Sequence, residues 1–438
     1  MIGQVFPAYS EYKDSGIDWL GEIPKHWILK PLFTLMKERN ERNIGNKEQN
    51  ILSLSYGKII RRNVDDNFGL LPASFETYQI VQDGNIIMRL TDLQNDKRSL
   101  RVGLVKEFGI ITSAYVCLEI IQELEISFAY SLLHSYDLTK IFYSLGGGVR
   151  QSMNYEDLKR LPILCPPLEE QKQIATFLDR ATTEIDQIIE QQKQLITLLE
   201  EERTTVISHA VTKGLYPSVP MKDSGIEWLG EIPKHWELKK IKHVVHEIID
   251  TEHKTAPFEP DGEYLVVRTS NVRDGKLVFD DAKYTDIEGF KEWTRRGVPN
   301  AGDILFTREA PAGEACIVPE DIDLCLGQRM VLFRVNSDLL DSSYCVRSIY
   351  GGIAAEFIHT LSSGSTVVHF NMADIKNIPI FIPPVKEQKA IASFLDQETA
   401  RIDEAIENVR SQIEKLEEYR TVLISDAVTG KIDVRGFS

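Results

Sequence analysis

LPILCPPLEEQKQIATFLDRATTEIDQIIEQQKQLITLLEEERTTVISHAVTKGL, from Leu161 to Leu215, aligns without a gap to IPIFIPPVKEQKAIASFLDQETARIDEAIENVRSQIEKLEEYRTVLISDAVTGKI, from Ile378 to Ile432, 217 positions later. In each copy a Pro-Pro pair (Pro166-Pro167, Pro383-Pro384) ends an extended segment, because proline lacks an amide donor and disfavours helix in the residue before it. Acidic residues follow where a helix N-terminus favours them. A seam at alternating four and three spacing then runs through Ile174, Leu178, Ala181, Ile185, Ile188, Gln192, Leu195, Leu199, Glu202 and Val206. The second copy gives Ile391, Leu395, Glu398, Ile402, Ala405, Val409, Gln412, Leu416, Tyr419 and Leu423. A 3.5-residue period held over about five heptads is a coiled-coil seam, and two such helices in one chain should pair. Each helix stops near a glycine, Gly214 or Gly430. A helix of about 40 residues is about 60 Å long, enough to act as a ruler.

Outward from these helices the duplication continues. KDSGIDWLGEIPKHWILK (Lys13 to Lys30) returns as KDSGIEWLGEIPKHWELK (Lys222 to Lys239), differing only at Asp18/Glu227 and Ile28/Glu237. His26 and His235, identical in both copies and fixed between Pro-Lys and Trp, read as frame residues rather than chemistry; Trp19, Trp27, Trp228 and Trp236 read as packing residues. LYPSVPMKD, with two prolines, is the linker between halves.

Between the repeated pieces lie two divergent segments whose pattern changes to short β-rich runs, such as YLVVRTSNV, DILFTR and MVLFRV, broken by Asp-Gly turns. DGNIIMR (Asp83 to Arg89) parallels AGDILFTR (Ala301 to Arg308), and short helices are expected near Phe128 to Ser144 and Ser342 to Leu361. The fold class is therefore α+β, tandem-duplicated. The expected division is 1–30, repeated segment; 31–160, first variable domain; 161–215, central helix; 216–240, linker and second repeated segment; 241–377, second variable domain; and 378–438, C-terminal helix.

The 438 residues carry a formal net charge of −16 and are 42% hydrophobic. That balance is of an ordinary globular protein, excluding a disordered or collagen-like chain. The apolar runs are far shorter than the roughly 20 residues a bilayer span needs, and no signal-peptide pattern opens the chain, so a cytoplasmic location with no membrane partner is expected. Five cysteines without a CxxC pair read as reduced, buried thiols, with no metal site. No GxxxxGK[ST] loop, G-x-S-x-G elbow, HExxH, kinase set or adenine-methyltransferase motif is present, so no catalytic residue is assigned.

Charge is uneven. Lys30 to Arg160 holds 17 basic and 16 acidic residues, against 5 and 9 in Leu168 to Leu215 and 16 and 22 in Lys239 to Asn377. The first variable domain is the least acidic of these, and its basic residues cluster, as at Lys58, Arg61 and Arg62 and at Lys97, Arg98, Arg101 and Lys106.

This architecture resembles the specificity (S) subunit of Type I restriction and modification enzymes. The resemblance rests on the paired IPKHW segments, on LPILCPPLEEQKQIATFLD and IPIFIPPVKEQKAIASFLD, on the long helix after each, and on the two divergent domains between. It implies two α/β target recognition domains separated by two long helices pairing as an antiparallel coiled coil. It also implies binding of double-stranded DNA at an asymmetric bipartite target, one half-site per domain. The resemblance further implies no catalysis by this chain and no cofactor bound by it. Two methyltransferase (M) subunits using S-adenosylmethionine and restriction/translocase (R) subunits using ATP and Mg would act as partners in host defence; the alternatives are the specificity subunit of a related bipartite or orphan modification system, or a coiled-coil scaffold that binds no DNA. M and R contacts are expected on the exposed faces of the long helices.

Arginine can read guanine, Gln or Asn can read adenine, and Lys mainly neutralises phosphate. On that ground the candidate DNA-binding residues are Lys58, Arg61, Arg62, Arg89, Arg98, Arg150 and Gln151 for one half-site, and Arg268, Asn271, Arg273, Arg308, Gln328 and Arg329 for the other. If the N-terminal segment folds beside the C-terminal end, each half is completed by shared elements, and circular permutation should be well tolerated.

Overall fold

A computed structural model describes residues 4–62, 74–91, 93, 100–145, 152–251, 254–362 and 369–437. The chain divides into two compact units: residues 1–192 with 410–438, and residues 193–409. Each long helix, Leu168–Lys213 and Val385–Val428, therefore contributes one end to each unit.

The two units are built alike. In the first, Ile28–Pro31 pairs antiparallel with Pro162–Cys165, so that the repeated segment lies against the strand leading into the long helix. In the second, Glu237–Lys240 pairs the same way with Pro379–Ile382. The hairpin Tyr12–Asp14/Glu22–Pro24 has its counterpart in Met221–Asp223/Glu231–Pro233. Each variable domain carries an antiparallel four-stranded sheet of one topology. Its order is Met36–Glu38, Val116–Ile120, Ile86–Met88, Val102–Leu104 in the first unit, and Val245–Asp250, Met330–Val335, Ile304–Thr307, Ala315–Ile317 in the second.

The remaining strands diverge. Gln79–Val81 pairs with Gly109–Ile111 in the first unit, whereas in the second Tyr264–Val267 lies between Lys283–Thr285 and a parallel partner, Leu324–Leu326. The helix expected near Phe128 is two helices, Ile126–Leu138 and Ile141–Leu145, and its counterpart is Ser342–Ile349 and Gly352–Ser362. Left-handed backbone at Lys140 (φ 63°) and Gly352 (φ 60°) marks both breaks.

Within each unit the helices run antiparallel. In the first, Glu170 near the start of one helix bonds Trp27, against which Gly430, just past the end of the other, is packed; further in, Arg420 pairs with Asp186. In the second, Gly214 lies against Trp236 and Glu387, and Arg203 pairs with Asp403. One column of the expected seam is displaced by a residue. Ile189 is buried, while Leu195 is 41% exposed and Ile196 is half-buried; on the other helix Ile406 is buried and Gln412 exposed. A helix of 3.6 residues per turn drifts about 20° per heptad against a strict seven-residue repeat, which brings the next residue inward. The shift is the same in both copies.

The repeated motifs hold this frame. Trp27 and Trp236 are fully buried, and each donates its indole N–H to a glutamate in the first turn of a long helix, Glu170 at 3.0 Å and Glu387 at 3.1 Å. His26 and His235 reach the other oxygen of the same carboxylates at 2.8 and 2.7 Å. The glutamines one residue on, Gln171 and Gln388, bond the first proline carbonyl of each Pro-Pro pair and accept the backbone N–H of Glu125 and Asp341, the N-caps of the first domain helices. Trp19 packs edge-on against the buried Tyr136, ring centroids 5.0 Å apart, although it is 41% exposed, whereas Trp228 corrects the packing expectation at 57% exposed; both stand at hairpin tips formed by positive-φ glycines. All five cysteines are free and buried, and burial pushes four thiols up to about 12 and Cys165 to about 11. Among the described residues no helix is long and apolar enough to cross a membrane.

Candidate nucleic-acid interface

In the second unit the strands Tyr264–Val267, Ile304–Thr307 and Leu324–Leu326 deliver the loops that follow them to one place, where Thr269 Oγ1 donates to the Ala310 carbonyl at 3.0 Å. Arg268, Arg308, Gln328 and Arg329 all belong to these loops. Their environments differ sharply.

Arg308 is 6% exposed; its guanidinium donates to Asp250 Oδ1 at 2.8 Å and to the Phe370 carbonyl at 3.1 Å. Asn271 is fully buried, its amide donating to the Val278 and Asp280 carbonyls and its oxygen accepting the Arg268 N–H. Both side chains turn inward, Arg308 onto a carboxylate and a backbone carbonyl and Asn271 onto backbone groups that its irregular loop would otherwise leave unpaired. Arg268 is partly engaged, held by the Asp281 carboxylate at 3.0 Å.

Gln328 is half-buried and Arg329 exposed. Arg273 stands exposed on the hairpin Val272–Arg273/Lys276–Leu277, whose Lys276 is 3.6 Å from Asp403 of the second long helix. Two further residues complete the loop cluster: Glu309, which pairs with Arg329, and His369, whose Nδ1 is 2.8 Å from Glu309. A search for basic and amide side chains had no means of finding Glu309.

In the first unit, Arg61 and Arg62 are exposed at the end of the hairpin Leu52–Ser55/Lys58–Arg61. Lys58 stands at its other end, in a cleft of about 460 Å³ lined also by Lys106, His134, Asp179, Asp186 and Arg420. Arg89 is half-buried beside the four-stranded sheet. Arg101, part of a basic cluster in the sequence, is fully buried, donating to Tyr143 Oη at 3.1 Å and the Thr91 carbonyl at 2.8 Å. Arg98, Arg150 and Gln151 lie outside the described residues. Among the described residues no group of three or more His, Cys, Asp or Glu is placed to hold a metal ion.

The loop cluster of the second unit is rich in arginine, and in the first unit the exposed basic residues sit on a hairpin instead. Residues 102–198 and 233–415 match the Type I restriction modification DNA specificity domain, and the chain belongs to that family. It is similar to the Type I restriction enzyme MjaVIII specificity subunit of Methanocaldococcus jannaschii, at 27% identity over 368 residues covering 82% of each chain. It is also similar to the EcoKI specificity subunit of Escherichia coli, at 24% identity over 63% of this chain and 58% of that one. Among solved structures, a chain from a study of complex assembly and conformational transition of the type I R-M system superposes with a TM-score of 0.68 at 16% identity, covering 93% of this chain and 98% of that one. The HsdS subunit of Thermoanaerobacter tengcongensis gives a TM-score of 0.53 at 16% identity, covering 94% and 98%.

Proposed function

We propose that this chain is the DNA-reading, non-catalytic subunit of a Type I restriction-modification complex, binding an asymmetric bipartite target with one half-site per recognition domain. The observation that carries the reading is a duplicated frame holding unlike loops: the four-stranded sheets and helix clamps are the same in both units, while the side chains on the loops differ. Unlike readers on a repeated frame call for unlike half-sites. Partner M subunits would carry S-adenosylmethionine and methylate adenine, and R subunits would use ATP and Mg. Those partners would also supply phosphate contacts that a chain of net charge −16 makes sparsely.

The test is a map of N6-methyladenine in a methylation-free cytoplasm expressing a partner methyltransferase gene with and without this gene. A gapped, asymmetric motif with a methylated adenine in each half, present only with this gene, is expected. An ungapped motif that forms without this gene would count against the reading.

A further inference from the structure

The two recognition domains can be overlaid by their hydrogen bonds. Phe306 faces Val331 as Met88 faces Val116, and the Phe370 N–H donates to the Arg308 carbonyl as the Met153 N–H donates to that of Leu90. By this register Arg308, Glu309, Arg329 and His369 occupy the places of Leu90, Thr91, Ala114 and Ser152. At these four positions charge stands in the second domain only; in the first, the buried Arg101 reaches the Arg89 and Thr91 carbonyls from a neighbouring strand instead.

In the second domain these residues form one chain of contacts. Asp250 Oδ1 takes Arg308 Nη1 at 2.8 Å; Arg308 Nη2 donates to His369 Nε2 at 3.3 Å; His369 Nδ1 donates to Glu309 Oε2 at 2.8 Å; and Glu309 Oε1 holds Arg329 Nε. Guanidinium groups only donate, so His369 Nε2 is the acceptor and its proton sits on Nδ1. Arg329 ends the chain. Its side chain is 47% exposed against 7% for Arg308, and its backbone is left-handed (φ 73°), a costly conformation for an arginine and one that collects at functional positions. With Nε held, the two Nη groups, which bond no described residue, form a donor fork already fixed in direction. A fork of that geometry matches guanine O6 and N7, and fixing it beforehand removes part of the entropic cost of binding.

We propose that Arg329 reads a guanine in the half-site bound by the second recognition domain, with Glu309 and His369 as its positioning residues. This rests on the DNA-reading function proposed above.

The experiment uses the complex of this chain with its methyltransferase partner, and duplexes bearing the mapped target with every base pair of both half-sites replaced in turn. Arg329→Gly, which suits the left-handed backbone, and Arg329→Lys, which keeps the charge but not the fork, are compared with wild type after matching thermal midpoints. Both variants should lose roughly 10- to 100-fold discrimination at a single G·C pair of one half-site and keep the rest of the profile. Glu309→Gln should lose roughly 3- to 10-fold at that same pair, which a merely structural role would not confine to one position. A uniform loss across all duplexes with a salt slope smaller by about one would make Arg329 a phosphate contact and overturn the proposal. Unchanged discrimination at every G·C pair would overturn it as well. Absence of any sequence preference in the wild-type complex would remove the underlying reading, an outcome visible before a substitution is made.

Discussion

The guanidinium of Arg420 lies 2.9 Å from the carboxylate of Asp186. The residues 217 positions away repeat the pair with the helices exchanged, Arg203 of the first helix meeting Asp403 of the second at 3.2 Å. Each pair sits inside one unit and fixes which turn of one helix faces which turn of the other. Both are partly exposed, so each contributes about 0.2–1 kcal/mol. A double-mutant cycle on Asp186→Asn and Arg420→Gln should return a coupling of about 0.5 kcal/mol, and Asp186→Arg should destabilise more than either neutral change. Urea unfolding of the four proteins of the cycle and of Asp186→Arg measures both effects, and zero coupling would remove the register role.

A second prediction concerns the glycine after each helix. Gly430 has φ 76°, and a Cβ there would lie 2.4 Å from Pro24 Cδ and 3.2 Å from Trp27; at Gly214 (φ 75°) the nearest atom would be Trp236 at 3.2 Å. Both alanine variants cost about 1 kcal/mol for the left-handed backbone, and Gly430→Ala adds a clash with a rigid ring. Gly430→Ala should therefore lower the thermal midpoint more than Gly214→Ala. Equal shifts would show that Pro24 yields freely.

The helices and the duplication were legible because they rest on period and repetition, which the chain displays directly. The clamp of His26 and Trp27 on Glu170 was legible as a frame element but not as a contact, since nothing local joins residues 143 and 144 positions apart. The candidate interface was half legible. Arg329 and Arg308 look alike in sequence, yet the strand Ile304–Thr307 carries the second into a pocket of backbone carbonyl and carboxylate, and the turn at Gln328 leaves the first outside. Charge counts cannot separate these cases, because burial of an arginine is decided by unpaired acceptors contributed by distant strands.

His134 gives the first unit a pH dependence. Burial, with the nearby Arg420 guanidinium adding to it, pushes its pKa down from 6.5 to about 4. The folded chain thus binds fewer protons than the unfolded one between these values. Stability should be full above about pH 6.5 and fall as pH drops toward 4, by at most about 3 kcal/mol. His134→Gln should flatten that stretch of the stability curve, and an unchanged slope would assign it elsewhere.

Permuting the chain tests how the units are closed. The N-terminal segment is bound into the first unit beside the C-terminus, with Tyr12 Oη donating to the Gly430 carbonyl at 3.0 Å and the Asp433 N–H donating to the Pro7 carbonyl at 2.7 Å. Joining the old termini by a short flexible linker and opening the chain near Tyr216, which is 57% exposed, should preserve the fold and the methylated motif. Loss of the motif in a folded permutant would show that free termini matter.

The most direct test of one domain reading one half-site is to replace residues 241–377 with a second copy of 31–160, joined at the matching strand pairs, and to map adenine methylation with the partner methyltransferase. The asymmetric gapped motif should become an inverted repeat of the first domain's half-site. Retention of the original asymmetric motif would contradict it.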